Sequence, residues 1–65
     1  MLTSNVKKMM EAKKVTIRGM NEKTRLSLET IARARGQKIA QCRLETLVSI
    51  AGCLDCKVKD LFDET

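Results

Sequence analysis

The sequence predicts an all-α fold, a compact domain of five short helices with a helix-turn-helix at helices 2 and 3. Three observations carry that expectation. Apolar residues recur at three- and four-residue spacing along nearly the whole chain, which is the period of one helix face. The core must be aliphatic, because there is no Trp, no Tyr and a single Phe, Phe62, and Leu, Ile, Met and Ala favour helices over an aromatic-rich sheet. No repeat, low-complexity segment or long linker divides residues 1–65, so they read as one domain. A chain of this size buries only about 60% of the surface its unfolded form exposes, and small domains often regain stability by dimerising.

The elements follow in order. Thr3, Ser4 or Asn5 can cap a first helix reaching about Lys13, with Val6, Met9 and Met10 on its apolar face. Thr16 is a natural N-cap for a second helix, Ile17 to Lys23, in which Gly19 costs about 1 kcal/mol relative to Ala. Thr24-Arg25-Leu26 makes a short break. Ser27 caps the third helix, which runs to Arg35 and stops at Gly36. A polar connection, Gln37 to Arg43, leads to a fourth helix with Leu44, Leu47, Val48, Ile50, Ala51 and Leu54 on a broad apolar face. A last short helix is expected over Lys57 to Asp63, carrying Val58, Leu61 and Phe62.

Charge is distributed unevenly. The net is +5, but residues 1–43 carry eleven Lys/Arg against Glu11, Glu22 and Glu29, while residues 44–65 carry Lys57 and Lys59 against Glu45, Asp55, Asp60, Asp63 and Glu64. A cationic end of net +8 beside an end of net −3 points to a polyanion on one face, with nucleic acid the leading candidate. The plainer alternative is a solvated face that keeps the protein soluble. No apolar run approaches the roughly 18 residues of a membrane span. The N-terminus lacks the apolar core of a signal peptide, so a cytoplasmic location and no membrane partner are expected.

Cys42, Cys53 and Cys56 form an odd set, and Cys53-Leu-Asp-Cys56 is a lone C-x-x-C. With no His, a zinc site would need an acid or a second subunit to complete three thiolates. Three structural cysteines are the expectation, and a metal or redox switch is the alternative. No cofactor, metal or small-molecule substrate is expected. With no His and no clustered carboxylates in the basic half, no acid–base constellation is visible and the chain reads as a non-enzyme.

Two short helices joined by three residues in a basic domain form a helix-turn-helix pattern. From Val6 to Phe62 the chain resembles the lambda-repressor-like DNA-binding domain of the Cro and phage-repressor type, also called the xenobiotic-response-element type. Carrying the resemblance are Val15-Thr16, Met20 at the family's core leucine, Thr24 with Leu26-Ser27, Thr30-Ile31, Leu44-Glu45-Thr46-Leu47, Ile50-Ala51 and Val58-x-x-Leu61-Phe62. The chain departs from the family at Asn21 (usually Ala), Arg25 (usually Gly), Arg35 (a common Glu), Gly36 (one position early) and Asp55 (usually Gly). If Arg25 is left-handed, the strain is on the order of 1 kcal/mol.

With Ile31 inward, rotation of 100° per residue places Glu29 and Arg33 nearly opposite it, flanked by Leu28 and Ala32. Such a helix fits the major groove, where Arg33 can fork onto a guanine. Glu29 can accept from a cytosine amino group or hold Arg33 as an i,i+4 pair, and Leu28 and Ala32 can meet thymine methyls. The plain alternative for Glu29 and Arg33 is a surface ion pair. Thr16 and Ser27 cap helices whose N–H groups suit phosphate. The resemblance implies further phosphate contacts from the loop after helix 3 and the start of helix 4, here Lys38 and Arg43, with Arg18 and Arg35 as additions. Lys7, Lys8, Lys13 and Lys14 read as solubilising.

The expectation is therefore a homodimeric transcriptional regulator, a repressor on a palindromic operator in double-stranded DNA, with its dimer surface in the acidic C-terminal third at Val58 and Phe62. An antitoxin-like or other protein-interaction module on the same scaffold is the competing reading.

Overall fold

The computed structural model describes residues 1–64 in the order β1 (Leu2–Ser4), α1 (Val6–Ala12), α2 (Ile17–Thr24), α3 (Leu28–Arg35), a 3₁₀ turn (Gln37–Gln41), α4 (Leu44–Cys53), a second 3₁₀ turn (Val58–Leu61) and β2 (Phe62–Glu64). Two helix starts are as local chemistry dictates. Thr16 accepts from the Gly19 amide at 2.9 Å and Ser27 from the Thr30 amide at 3.1 Å, each satisfying an otherwise orphan helix donor. A Cβ on Gly19 would stand 3.0 Å from the Thr16 hydroxyl, so glycine there leaves room for the cap.

The all-α, five-helix expectation needs correction: among the described residues there are four α-helices and a two-stranded sheet. Lys57 to Asp63 is not an α-helix. Its first part is the second 3₁₀ turn, and Phe62–Glu64 then pairs antiparallel with Leu2–Ser4, Ser4 opposite Phe62 and Leu2 opposite Glu64. The Asn5 amide adds a bond to the Leu61 carbonyl at 2.7 Å. Thr3 and Ser4, read as possible caps, belong instead to β1, and Asn5 stands at the cap position of α1 without a side-chain cap bond. Ser4 serves a different purpose: its hydroxyl accepts from the Val6 amide (3.2 Å) and donates to the Ala34 carbonyl (2.6 Å), fastening β1 to the end of α3.

The core is aliphatic. Val6, Met10, Met20, Ile31, Ala34, Ile39, Leu47, Ile50, Ala51, Leu54 and Leu61 are buried, and among the described residues no polar or charged side chain is. The connection from Gln37 is not plain loop, since its 3₁₀ turn sends Ile39 into this core.

Left-handed backbone falls on Lys14 (φ 58°), Arg25 (φ 63°) and Asp55 (φ 54°), whereas Gly36 is extended at φ −119°. α1 and α4 both end in Schellman motifs: Val15 N–H bonds Met10 C=O, and Cys56 N–H bonds Ala51 C=O. In the helix-turn-helix, the Arg25 amide bonds the Asn21 carbonyl at 2.8 Å. The Asn21 side-chain amide donates to the Leu26 carbonyl. The Thr24 hydroxyl accepts from the Leu26 amide (3.2 Å) and donates to the Met20 carbonyl (2.8 Å). Two of the departures from the family pattern therefore act on one turn, Asn21 holding a conformation that Arg25 adopts at a cost. Arg25→Gly is expected to raise unfolding stability by roughly 0.5–1 kcal/mol, and Asn21→Ala to lower it by about 1 kcal/mol. Denaturant unfolding checks both, and a destabilised Arg25→Gly would show that no strain resides at this turn.

Candidate nucleic-acid interface

α3 turns Ile31 and Ala34, both fully buried, into the core. Its opposite face carries exposed Leu28, Glu29 and Ala32 and half-exposed Arg33, the four residues expected there. The Arg33 guanidinium lies 3.4 Å from the Glu29 carboxylate, so the i,i+4 pair is formed in the free protein. Lys38, on the first 3₁₀ turn, joins Glu29, Ala32 and Arg33 around a shallow depression. Arg33 also borders a second cleft, between Thr30 on α3 and Gln41, Arg43 and Thr46 at the start of α4. One guanidinium thus stands at the junction of the outward face and the cleft beside it.

Of the other residues expected at phosphates, Arg43 borders the cleft beside Arg33. Thr16 and Arg18 are exposed at the start of α2, and Ser27 is exposed at the start of α3. Both hydroxyls are engaged by their caps, Ser27 also donating to the Thr30 hydroxyl at 2.8 Å, which leaves the neighbouring backbone N–H groups as the anion-facing donors. Arg43 is exposed at the N-terminal end of α4 with Glu45 at 3.8 Å. Arg35 lies apart from this set. Its half-buried side chain shares a groove with β1, Gly36 and Gln37, and its Nε is buried without a hydrogen-bond partner. Lys13 has a specific partner, its ammonium donating to the Leu54 carbonyl at the C-terminal end of α4.

Val58 and Phe62 are half-buried and pack against the core, Phe62 from within β2. The cysteines are free and half-buried. Cys42 precedes α4 and Cys53 ends it, so some 15 Å of helix axis separates them, and among the described residues no group of three ligating side chains is placed to hold a metal. Burial pushes the Cys42 thiol up, the Arg33 guanidinium acting against it. Burial likewise raises Cys56, helped by Asp60.

A cationic helix-turn-helix whose second helix shows an exposed face of arginine, glutamate and apolar groups has the chemistry of a helix that meets base edges. The family model for the Cro/C1-type helix-turn-helix DNA-binding domain matches residues 5–64. The chain belongs to this family. No match was found among curated proteins or among solved structures. Membership implies double-stranded DNA as the partner of this Cro/C1-type domain and supports the role of a DNA-binding regulator. Among the described residues no helix is long and apolar enough to cross a membrane.

The site residues expected from the sequence of this Cro/C1-type domain do not include Gln41 and Thr46, which line the cleft beside Arg33, or Ser4 in its role of fastening the end of α3. Thr46 has a local signal, the third position of a helix whose cap is Arg43. Gln41 and Ser4 have none, because a 3₁₀ turn and a strand paired across the chain bring them into place.

Proposed function

We propose that the domain is a transcriptional repressor that binds a palindromic operator as a homodimer, with α3 laid in the major groove. The single observation that carries this reading is the outward face of α3, with Arg33 held by Glu29 beside Lys38. Leu28, Glu29, Ala32 and Arg33 read the bases, Arg33 forking onto guanine N7 and O6. Arg18, Lys38 and Arg43, with the amides behind Thr16 and Ser27, hold phosphates and set the docking register, while Arg35, expected among them, stands apart beside β1. One helix covers only a few base pairs, so a two-fold pair with recognition helices about 34 Å apart supplies specificity. A homodimer also adds buried surface to a chain of 65 residues.

Selection of bound sequences from random duplex DNA tests the reading and should return an inverted repeat. On the selected duplex, three cationic side chains per protomer are expected to give a log–log salt slope of about −5. Binding that is absent, or indifferent to salt, would favour a protein-interaction module on the same scaffold.

A further inference from the structure

We propose that two copies of this chain pair through the exposed flank of α4, antiparallel, about a two-fold axis passing beside Val48. The proposal rests on the dimeric reading above and assigns its surface. Leu44 and Val48, one helical turn apart, are 68% and 55% exposed. The other large exposed apolar side chains are Met1 at the chain start and Leu28 on the outward face of α3. Val58 and Phe62 are half-buried against the core and offer less free surface.

Three features make a second copy the fitting occupant. The first is shape. Gly52 lies as far after Val48 as Leu44 lies before it, and a Cβ built on Gly52 meets nothing within 4 Å. An antiparallel crossing centred on Val48 therefore sets each Leu44 over the other copy's Gly52, a self-complementary contact of the kind a two-fold interface requires. The second is charge. Antiparallel pairing sets the positive N-terminal end of each α4 dipole beside the other copy's negative C-terminal end, where exposed Asp55 lies. The pairing also joins the two net-negative C-terminal thirds and leaves the +8 segments free. The third is direction. At 100° per residue, Leu44 and Val48 lie about a quarter turn from the mean of Leu47, Ile50, Ala51 and Leu54. In antiparallel pairing the two-fold axis is perpendicular both to the helix and to the contact, so it runs along the direction in which α4 faces the core. The buried face of α4 therefore points the same way in both copies.

Sedimentation equilibrium of the full chain without DNA, from micromolar to submillimolar concentration, tests the pairing. The wild type is expected to dimerise, and Val48→Asp and Gly52→Gln each to raise the dissociation constant at least about tenfold. Gly52→Gln guards against trivial unfolding, since a better helix former at an open position should keep or raise monomer stability. A wild type that stays monomeric, or variants that dimerise like the wild type, would overturn the proposal. Binding to a single half-site duplex at low salt is measured alongside and should persist in both variants. Its absence in a dimerising wild type would count against the DNA reading and leave the pairing standing.

Discussion

Arg33→Ala is expected to lower affinity for the selected duplex by roughly 30-fold or more, since the homodimer loses one bidentate guanine contact of about 1–3 kcal/mol in each half-site. The loss should concentrate at one base position: a duplex already changed there should bind both proteins alike. The argument rests on placement. Arg33 projects from the side of α3 opposite fully buried Ile31, and Glu29 at 3.4 Å aligns it before DNA arrives. Lys38→Ala, by contrast, should weaken all sequences alike and reduce the magnitude of the dimer's salt slope by about 2, one phosphate contact per protomer. Binding curves on a panel of single-base variants at two salt concentrations separate the two patterns. Equal, sequence-blind losses from both substitutions would remove Arg33 from base reading.

Ile31→Ala is expected to cost about 2–5 kcal/mol of unfolding free energy, the range for emptying a buried aliphatic site. Ile31 is fully buried and contributes to the cluster formed with Met20, Ile50 and Leu61. A domain of 65 residues has on the order of 3–10 kcal/mol in total, so this single change removes a large share of it. The recognition helix has eight residues, too short to hold together without packing. DNA affinity should therefore fall with the folded fraction and return when the temperature is lowered. Glu29→Ala, on the same helix but exposed, should change stability by less than about 0.5 kcal/mol. Urea unfolding of the two variants makes the comparison, and a cost below about 1 kcal/mol for Ile31→Ala would show that α3 is held mainly by other contacts.

Much of the interface was legible in the residues, and the parts that were not share a cause. Thr16 and Ser27 were readable as caps because a cap acts on an amide three positions away. The outward set Leu28, Glu29, Ala32 and Arg33 was readable because helical rotation is the same everywhere. The left-handed turn at Arg25 was anticipated, but its stabilisation by the Asn21 amide was not, since the bond reaches around the turn to the Leu26 carbonyl. Arg35 was read from the sequence as a further phosphate contact, but β1 lies along the groove that Arg35 shares and sets it apart. Val58, Leu61 and Phe62 fit helical spacing, yet Phe62 enters a strand whose partner lies at the opposite end of the chain.

By itself, the sequence determined the four helices, their aliphatic core, the position of the helix-turn-helix and the chemical character of its outward face. These depend on periodicity, capping and charge, which act within about four residues of one another. Only the tertiary structure decided that the chain ends in a β-strand, that Ser4 fastens the end of α3, that Arg35 stands apart, and that Leu44 and Val48 remain uncovered. Those outcomes depend on contacts between residues tens of positions apart, where a backbone hydrogen bond or an apolar side chain finds its partner only after the helices have packed.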